Sequence, residues 1–273
     1  MSSFKNKHVL ITGGAGGIGL LMGGIALAEG AKKLIIWDID QERLQKVSAH
    51  FEKKSSQIAT YRVDVSDAAQ IDETAEQVLA DLGKVDILIN NAGIVVGKRF
   101  DELSHDEISR TIAINLLGAM HTTRAFLPDM IQNESGHIVN IASASGYLGN
   151  PKMSVYASSK WGMIGWSESL RLELRQNKGV KITTVEPSFI KTGLFAGVRV
   201  PLLTPLLEPE DISRRIIQAI KNNKIHLRAP FMVKFLPFLK GVLPTQAFDF
   251  VAGKLFGVYR SMDTFEGRAN SRN

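Results

Sequence analysis

Two kinds of hydrophobic pattern alternate along the first 190 residues of the chain. Nearly unbroken apolar runs, typical of strands buried on both faces of a sheet, occur at Val9–Thr12, Leu34–Asp38, Ile58–Asp64, Val85–Asn90, His137–Ile141 and Lys181–Val185. Segments with helical spacing lie between them, at Asp40–Lys54, Asp67–Leu82, Asp106–Gln132 and Val155–Gln176. This alternation predicts an α/β fold in which a parallel sheet carries helices on both faces.

The pattern changes after residue 193. The apolar segment Leu194–Leu207 contains two prolines and predicts an irregular loop. A proline near the start and acidic residues in the first turn predict a helix from Glu208 to about Asn222. A short strand is expected near Lys224–Leu227. We therefore expect one domain, with its main part at 1–223 and an extension at 224–273 packed on it.

The positive charge of the chain lies in that extension. The net charge is +6, and residues 221–260 hold seven Lys or Arg residues against one acidic residue, Asp249, so the body is neutral. Phe and Leu cluster between the lysines of residues 225–260. These aromatic side chains could close a pocket beneath solvated lysines, or form a lip on a membrane with anionic headgroups. The segment has no nucleic-acid-binding signature, and we expect no nucleic-acid partner.

Composition narrows the classes of protein further. The 273 residues contain no cysteine, which excludes disulfides, thiolate metal sites and a cysteine nucleophile. No apolar run approaches the roughly 18 residues of a membrane span, and Met1–Lys7 do not resemble a secretory signal. We expect a cytoplasmic protein, with peripheral membrane contact at 225–260 if the second interpretation holds. The six histidines are scattered, and we predict no metal site.

A glycine-rich turn joins the first strand to the first helix. It reads Thr12-Gly13-Gly14-Ala15-Gly16-Gly17-Ile18-Gly19. Such a turn allows the backbone to approach a pyrophosphate at the positive end of a helix. A tight turn without a ligand is the alternative. We expect Gly13, Gly17, Ile18 and Gly19 to bind a nucleotide.

An aspartate ends the second strand about twenty residues after the glycine turn. The Asp38 carboxylate could accept hydrogen bonds from both hydroxyls of an adenosine ribose, and it would repel a 2′-phosphate. No basic residue stands beside it in the sequence, so NAD is favoured over NADP. The alternative is a surface aspartate that caps the next helix, although Asp40 could supply that cap.

Tyr156 and Lys160 lie four residues apart and would share one face of a helix. A phenol with a pKa near 10 is a poor base at neutral pH. A nearby cation stabilises the phenolate and lowers that pKa, which suits general acid–base catalysis. The alternative is a pair on an amphipathic helix that does not cooperate.

Further polar residues follow these in a characteristic order. Asn90-Asn91-Ala92-Gly93 ends the fourth strand, Asn115 lies in a helix, and Ser143 precedes Tyr156-x-x-x-Lys160 by 13 residues. With the glycine turn and a late Pro–Thr motif, they make residues 5–195 resemble the classical short-chain dehydrogenase/reductase family. The resemblance implies a Rossmann-type, doubly wound parallel sheet of about seven strands, with a C-terminal substrate-lip extension.

The resemblance also implies a reaction, hydride transfer between a nicotinamide cofactor and an alcohol or carbonyl. Tyr156 would be the general acid or base, and Ser143 would orient the substrate oxygen. Lys160 would lower the pKa of Tyr156 and hold the nicotinamide ribose. Asn115 would hold a water linked to Lys160. Further cofactor contacts are expected at Asp64, Val65, Asn91, Ala92, Gly93, Tyr156, Lys160, Pro187, Ile190 and Thr192. Ser188 replaces the usual glycine after Pro187.

The C-terminal layout resembles the retinol and 17β-hydroxysteroid dehydrogenase branch of the family. We expect a hydrophobic alcohol or ketone substrate and a homodimer or homotetramer formed through helices near 104–132 and 153–177. Apolar side chains predicted to line the substrate cleft are Leu194, Phe195, Val198, Val200, Leu202, Leu203, Leu206, Leu207, Phe231, Phe235, Leu236 and Phe238. The competing interpretations are an NADP-dependent 3-oxoacyl (acyl-carrier-protein) reductase and a non-catalytic dinucleotide-binding protein.

Overall fold

The protein forms one α/β domain in the computed structural model, which describes residues 2–51, 57–202 and 204–267. Lys54, at the predicted end of one helix, and Leu203 lie outside the described residues.

Seven parallel strands form a single sheet in the order β3-β2-β1-β4-β5-β6-β7. They are β1 (His8–Thr12), β2 (Lys33–Asp38), β3 (Ile58–Arg62), β4 (Ile87–Asn90), β5 (Gly136–Ile141), β6 (Val180–Pro187) and β7 (His226–Ala229). The predicted doubly wound sheet of about seven strands is confirmed. Its strand order reverses between β1 and β4, and a crevice at such a point is where ligands bind in this architecture.

Helices connect the strands and cover both faces of the sheet. They are α1 (Gly17–Ala28), α2 (Gln41–His50), α3 (Ala68–Leu82), α4 (His105–Ile112), α5 (Gly118–Gln132), α6 (Ser154–Glu173) and α7 (Pro209–Lys221). Local sequence sets several of their ends. Asp67 caps α3 by accepting from two backbone amides, and Ser104 begins α4 with a capping box to Glu107. No described helix is both long and apolar enough to span a membrane.

Alternate side chains of the strands point into two separate cores. Val9 and Ile11 of β1 pack with α1 and α7 on one face. Leu10 points to the other face and packs with α3, α5 and α6. Because both faces are buried, the strands can be apolar at every position, which explains the unbroken runs in the sequence.

Several predicted elements differ in their bounds from the structure, among them a long helix and the last strand. The helix expected over Asp106–Gln132 is divided into α4 and α5 by a π-helical turn, Ala113–Leu117. The last strand begins at His226 instead of Lys224, because Lys224 still donates to the Ala219 carbonyl at the end of α7. Because β7 belongs to the sheet, the chain leaves the sheet only after Ala229.

The chain after β7 forms a set of short helices beside the carboxyl ends of the strands. They are a 3₁₀ helix (Phe231–Phe235), α8 (Leu236–Val242), α9 (Thr245–Asp249), a π-helical segment (Phe250–Leu255) and a 3₁₀ turn (Val258–Arg260). We call residues 231–260 the cap.

Candidate active site

A cleft opens where the strand order reverses. Every predicted catalytic and cofactor-binding residue except Gly19 and Asn115 lines it. Those two lie directly behind its wall. A Cβ on Gly19 would meet the Gly13 carbonyl, and one on Gly93 would lie 3.3 Å from the Asn115 side chain.

The glycine turn has a shape that larger residues could not adopt. Gly13 has a φ of +62°, and a Cβ on it would lie 2.9 Å from the Ala92 Cα. On Gly19 a Cβ would lie 2.6 Å from the Gly13 carbonyl oxygen. Helix α1 begins here with no side-chain cap and no acidic residue in its first turn. Its first amides and positive end are therefore not occupied by a side chain of the helix itself, an arrangement that fits a pyrophosphate.

Asn91 holds the glycine turn against the end of β4. Its side-chain nitrogen donates to the carbonyl oxygens of Thr12 and Gly13, both at 3.0 Å. The Thr12 hydroxyl accepts in return from the amides of Asn91 and Ala92, both at 3.1 Å. The Asn91 side chain therefore shapes the cradle by positioning its backbone.

Asp38, at the end of β2, lies beside the glycine turn. Its carboxylate accepts from the amides of Ala15 at 3.0 Å and Asp40 at 3.1 Å. The capping of α2 falls to Asp40, which accepts from the Arg43 amide. Asp38 is therefore not the helix cap.

No basic residue stands beside Asp38 in the sequence, but the structure brings Arg43 to the same part of the cleft. The first turn of α2 brings Arg43 back to the glycine turn, where it lines the cleft. One guanidinium nitrogen lies 3.5 Å from where a Cβ on Gly16 would be, and Nε pairs with Asp40 at 2.9 Å. Helical geometry produces this approach, so the neighbours of Asp38 in the sequence could not reveal it.

The remaining predicted cofactor contacts border the same cleft. Asp64 and Val65 follow β3, and the Asp64 carboxylate accepts from the Ser66 amide at 2.9 Å. Pro187 ends β6, and Ile190 and Thr192 follow it. Beside them, the Ser188 amide donates to the Ala229 carbonyl at 2.7 Å, so the residue that replaces glycine is tied to β7.

Ser143, Tyr156 and Lys160 meet at the inner end of the cleft. Tyr156 and Lys160 lie on one face of α6 and are each 5% exposed. The Lys160 ammonium lies 5.7 Å from the centre of the Tyr156 ring and donates to the Ile141 carbonyl at 2.8 Å. The Ser143 hydroxyl accepts from the Ser145 amide at 3.1 Å and donates to the Pro187 carbonyl at 3.4 Å. The ends of β5 and β6 thus hold the serine beside the tyrosine.

Burial dominates the protonation of this group. It raises the pKa of Tyr156 to about 12, although the Ser143 hydroxyl opposes that rise. It also lowers the pKa of Lys160 to about 8. In the protein alone the phenol therefore keeps its proton at neutral pH, and a cation placed in the cleft would lower the pKa of Tyr156.

Asn115 lies in the π-helical turn, a kind of irregularity that is frequent at functional sites. Its side chain is fully buried and is bound to both backbone groups of one residue. Oδ1 accepts from the Ile94 amide at 2.8 Å, and Nδ2 donates to the Ile94 carbonyl at 2.9 Å and to the Ser159 hydroxyl at 3.2 Å. Asn115 therefore fixes the segment after Gly93 against α6.

A second cavity adjoins the cleft at Ser143, Ser188 and Phe195. Its wall is mostly apolar, and much of it comes from the cap. The cap residues that line it are Met232, Val233, Leu236, Leu239, Phe248, Val251, Ala252, Phe256 and Val258. A small polar corner at the serine thus opens into an apolar chamber.

The source of that apolar wall differs from the prediction. Of the described side chains predicted to line it, only Phe195, Leu202 and Leu236 do so. Phe231, Phe235 and Phe238 point outward. In the loop, Val198 and Leu206 pack with the buried cluster that contains Tyr156. Which cap side chains face inward depends on where each short helix begins, and the sequence pattern does not mark those positions.

A buried ionic network beside the pocket was not foreseen. Glu186 is fully buried and accepts from Arg228 Nε at 2.5 Å and from His226 Nδ1 at 2.6 Å. Arg228 also donates to the Tyr147 hydroxyl at 2.9 Å, next to Leu148 of the pocket wall. An acidic residue within the apolar run of β6 was the available signal, because a buried carboxylate needs a partner.

Comparison with known proteins agrees with this geometry. The family model described as short chain dehydrogenase matches residues 7–201. Mouse epidermal retinol dehydrogenase 2 is 36% identical over 265 residues, covering 95% of this chain and 85% of that protein. Human estradiol 17-beta-dehydrogenase 11 is 36% identical over 244 residues, covering 89% of this chain and 81% of that protein.

Solved structures share the fold and contain either nicotinamide cofactor. A short-chain dehydrogenase/reductase from Burkholderia phymatum in complex with NAD has a TM-score of 0.78 and 25% identity, covering 87% of this chain and 94% of that one. A metagenomic short-chain oxidoreductase in complex with NADP has a TM-score of 0.70 and 28% identity, covering 84% of this chain and 97% of that one.

Proposed function

The chain belongs to the short-chain dehydrogenase family, whose members are oxidoreductases acting on CH–OH groups, and we propose that it interconverts a hydrophobic alcohol and its carbonyl using NAD. One observation carries the proposal. Ser143, Tyr156 and Lys160 meet where a glycine-cradled cleft joins an apolar chamber. A cofactor in the cleft and a substrate in the chamber would therefore meet at these three side chains.

Each polar group at this junction has a distinct task in the proposal. Tyr156 accepts the hydroxyl proton when an alcohol is oxidised and donates it when a carbonyl is reduced. Ser143, whose hydroxyl is fixed by Ser145 and Pro187, orients the substrate oxygen. Lys160 keeps a positive charge near the phenol and lies within the cleft. Asn115 acts indirectly, by fixing the segment after Gly93.

The nicotinamide ring, when bound, supplies the acceptor or donor of the hydride. The glycine turn and the uncapped amides at the start of α1 would hold the pyrophosphate of the cofactor. Asp38 would hold the adenosine ribose, and Pro187, Ile190 and Thr192 border the opposite end of the cleft.

Arg43 supports NADP as a second candidate cofactor. Its guanidinium lies beside the glycine turn and could attract a 2′-phosphate, whereas the Asp38 carboxylate would repel it. Because Arg43 is already paired with Asp40 at 2.9 Å, we expect the repulsion of a 2′-phosphate by Asp38 to outweigh its attraction by Arg43. We therefore propose NAD as the preferred cofactor.

Calorimetric titration of both cofactors tests this choice. We expect wild type to bind NAD at least tenfold more tightly than NADP. The Asp38→Ala variant should narrow that ratio, and Arg43→Ala should widen it. Equal affinities in wild type, or a ratio that neither substitution changes, would contradict the roles of both residues.

The apolar chamber supports a hydrophobic substrate. Burying apolar surface contributes about 25 cal/mol per Å², whereas a sugar would leave hydroxyl groups unpaired at roughly 1–3 kcal/mol each. We expect kcat/KM to rise with chain length in a series of alcohols and to be lowest for a polyol. A flat series, or a preference for the polyol, would contradict the proposed substrate class.

We also propose that the protein assembles as a homodimer or homotetramer through α5 and α6. Their outer faces share a shallow, mostly apolar groove that includes Leu127, Ile131 and Trp166. Light scattering at micromolar concentration should show a mass above that of the 30.0 kDa chain, and Leu127→Asp should reduce it. A monomeric wild type would contradict this assembly.

A further inference from the structure

The first part of the cap is apolar on both of its faces. Met232, Val233 and Leu236 point inward and line the chamber. Phe231, Phe235, Phe238 and Val242 recur every three or four residues, as the residues on one side of a helix do. They are 62%, 42%, 66% and 63% exposed. The chamber explains the inner face, but it does not explain why the outer face is apolar.

The π-helical segment of the cap repeats this arrangement. Val251 and Ala252 line the chamber, whereas Phe250 and Leu255 beside them are 52% and 55% exposed. We call Phe231, Phe235, Phe238, Val242, Phe250 and Leu255 the outer stripe. Six large apolar side chains this exposed within one segment of 25 residues are uncommon on a surface that faces only water.

Cations accompany the outer stripe. Lys234 Nζ lies 5.0 Å from the centre of the Phe231 ring, and Lys254 Nζ lies 5.7 Å from that of Phe250. Neither lysine pairs with a carboxylate among the described residues. Asp249, the one acidic residue of 221–260, accepts from the Tyr259 hydroxyl at 2.5 Å. The stripe is therefore an apolar surface with unneutralised positive charge at its edge.

The chamber reaches the surface next to the cap. Leu202 lines the chamber and is 63% exposed, and its amide donates to the Phe256 carbonyl at 2.9 Å. A molecule entering past Leu202 would therefore pass beside the cap. Because Phe256 directly follows Leu255 of the outer stripe, a surface that covers this end of the stripe lies beside the entrance.

We propose that the outer stripe docks on the surface of an anionic lipid bilayer. Apolar side chains beside cations match the boundary between acyl chains and negatively charged headgroups. Dimerisation through this face would instead place the lysines of two copies beside one another, where their charges repel. The entrance at Leu202 then lies near the lipid, so a membrane-dissolved alcohol could enter the chamber directly. Only this delivery step rests on the proposed function.

Vesicle co-sedimentation of the full chain tests the docking without requiring catalysis. We expect wild type to bind vesicles of phosphatidylcholine with about 30% phosphatidylserine, and to bind pure phosphatidylcholine roughly tenfold less. The double variant Phe231→Ser/Phe238→Ser should lose roughly tenfold in partitioning to the anionic vesicles. Lys234→Glu/Lys254→Glu should lose a similar factor, and added salt should weaken wild-type binding.

Matched controls lie at the opposite end of the sheet. Ile225 is 46% exposed just before β7, and Lys178 is exposed just before β6. Ile225→Ser and Lys178→Glu should bind vesicles like wild type. Equal binding by the stripe variants and these controls, or no wild-type binding, would overturn the proposal. So would a wild-type mass that falls when the two phenylalanines are replaced, because the stripe would then join two copies.

An activity measurement separates the two proposals. With a short, water-soluble alcohol, Phe231→Ser/Phe238→Ser should have the wild-type kcat/KM. With a long-chain alcohol held in vesicles, its kcat/KM should fall in parallel with vesicle binding. Vesicle binding without turnover of any alcohol would refute the proposed function and leave the docking intact. Turnover of the vesicle-held alcohol that does not depend on the stripe would overturn the delivery step.

Discussion

Replacing Glu186 with glutamine should destabilise the domain through the buried network beside the pocket. The carboxylate is fully buried and accepts from Arg228 and His226 at 2.5 and 2.6 Å. Breaking a buried ion pair costs about 3–5 kcal/mol. The Arg228 side chain is 24% exposed and keeps its hydrogen bond to Tyr147, so part of its charge stays compensated. We therefore expect the free energy of unfolding to fall by about 2–3 kcal/mol. For a domain of this size that lowers Tm by roughly 5–10 °C.

The matched control is Glu208→Gln. Glu208 pairs with Lys191 at 3.5 Å, and these side chains are 55% and 66% exposed. An exposed pair of this kind contributes at most about 1 kcal/mol. Thermal and urea unfolding of wild type and the two variants make the comparison. A Glu186→Gln variant as stable as the Glu208→Gln variant would refute the importance of the buried charge.

Three further predictions concern the cradle, acid stability and the chamber. Gly19→Ala should abolish cofactor binding in calorimetry, because its Cβ would lie 2.6 Å from a carbonyl oxygen of the glycine turn. The control is Gly24→Ala in the same helix, where a Cβ has room. Equal cofactor affinities of the two variants would contradict the role of the glycine turn in binding. Burial lowers the pKa of His137 to about 4 from 6.5, so its contribution to stability is complete above pH 6.5 and is lost as the pH falls through 4. Over this pH range the free energy of unfolding should fall by about 3 kcal/mol because of His137. Urea unfolding at several pH values should show a smaller fall for His137→Gln, but not for the exposed His105→Gln. An unchanged pH dependence in His137→Gln would contradict this cause. Ala252→Phe should lower kcat/KM for long alcohols more than for short ones, because Ala252 lines the chamber; an equal effect on both would place the substrate elsewhere.

Patterns of short range predicted the strands, and together with the family resemblance they predicted the polar site residues. Each predicted strand is an apolar run that needs cover on both faces, and the residue following such a strand lies at the carboxyl edge of the sheet. The ends of the strands therefore bring the glycine turn, Asn91 and Ser143 to one cleft without any knowledge of the full topology.

Contacts that depend on side-chain direction could not be predicted in the same way. Arg43 reaches the glycine turn only because α2 turns back toward it. The cap is divided into short 3₁₀, α and π-helical segments whose junctions the sequence does not mark, so its inward and outward residues were not separated. The sequence around Asn115 has continuous helical spacing, so the pattern does not reveal the π-helical turn there.

The most direct test of the proposed chemistry is nicotinamide reduction by Tyr156→Phe in the presence of a hydrophobic secondary alcohol. Removing one hydroxyl should lower kcat by roughly 10²–10⁴-fold, while calorimetry shows NAD binding within about threefold of wild type. In wild type the oxidation rate should rise with pH, because Tyr156 must lose a proton that burial holds to a pKa of about 12 in the protein alone. A Tyr156→Phe variant that binds NAD and oxidises the alcohol at the wild-type rate would contradict the assignment of Tyr156 as the base.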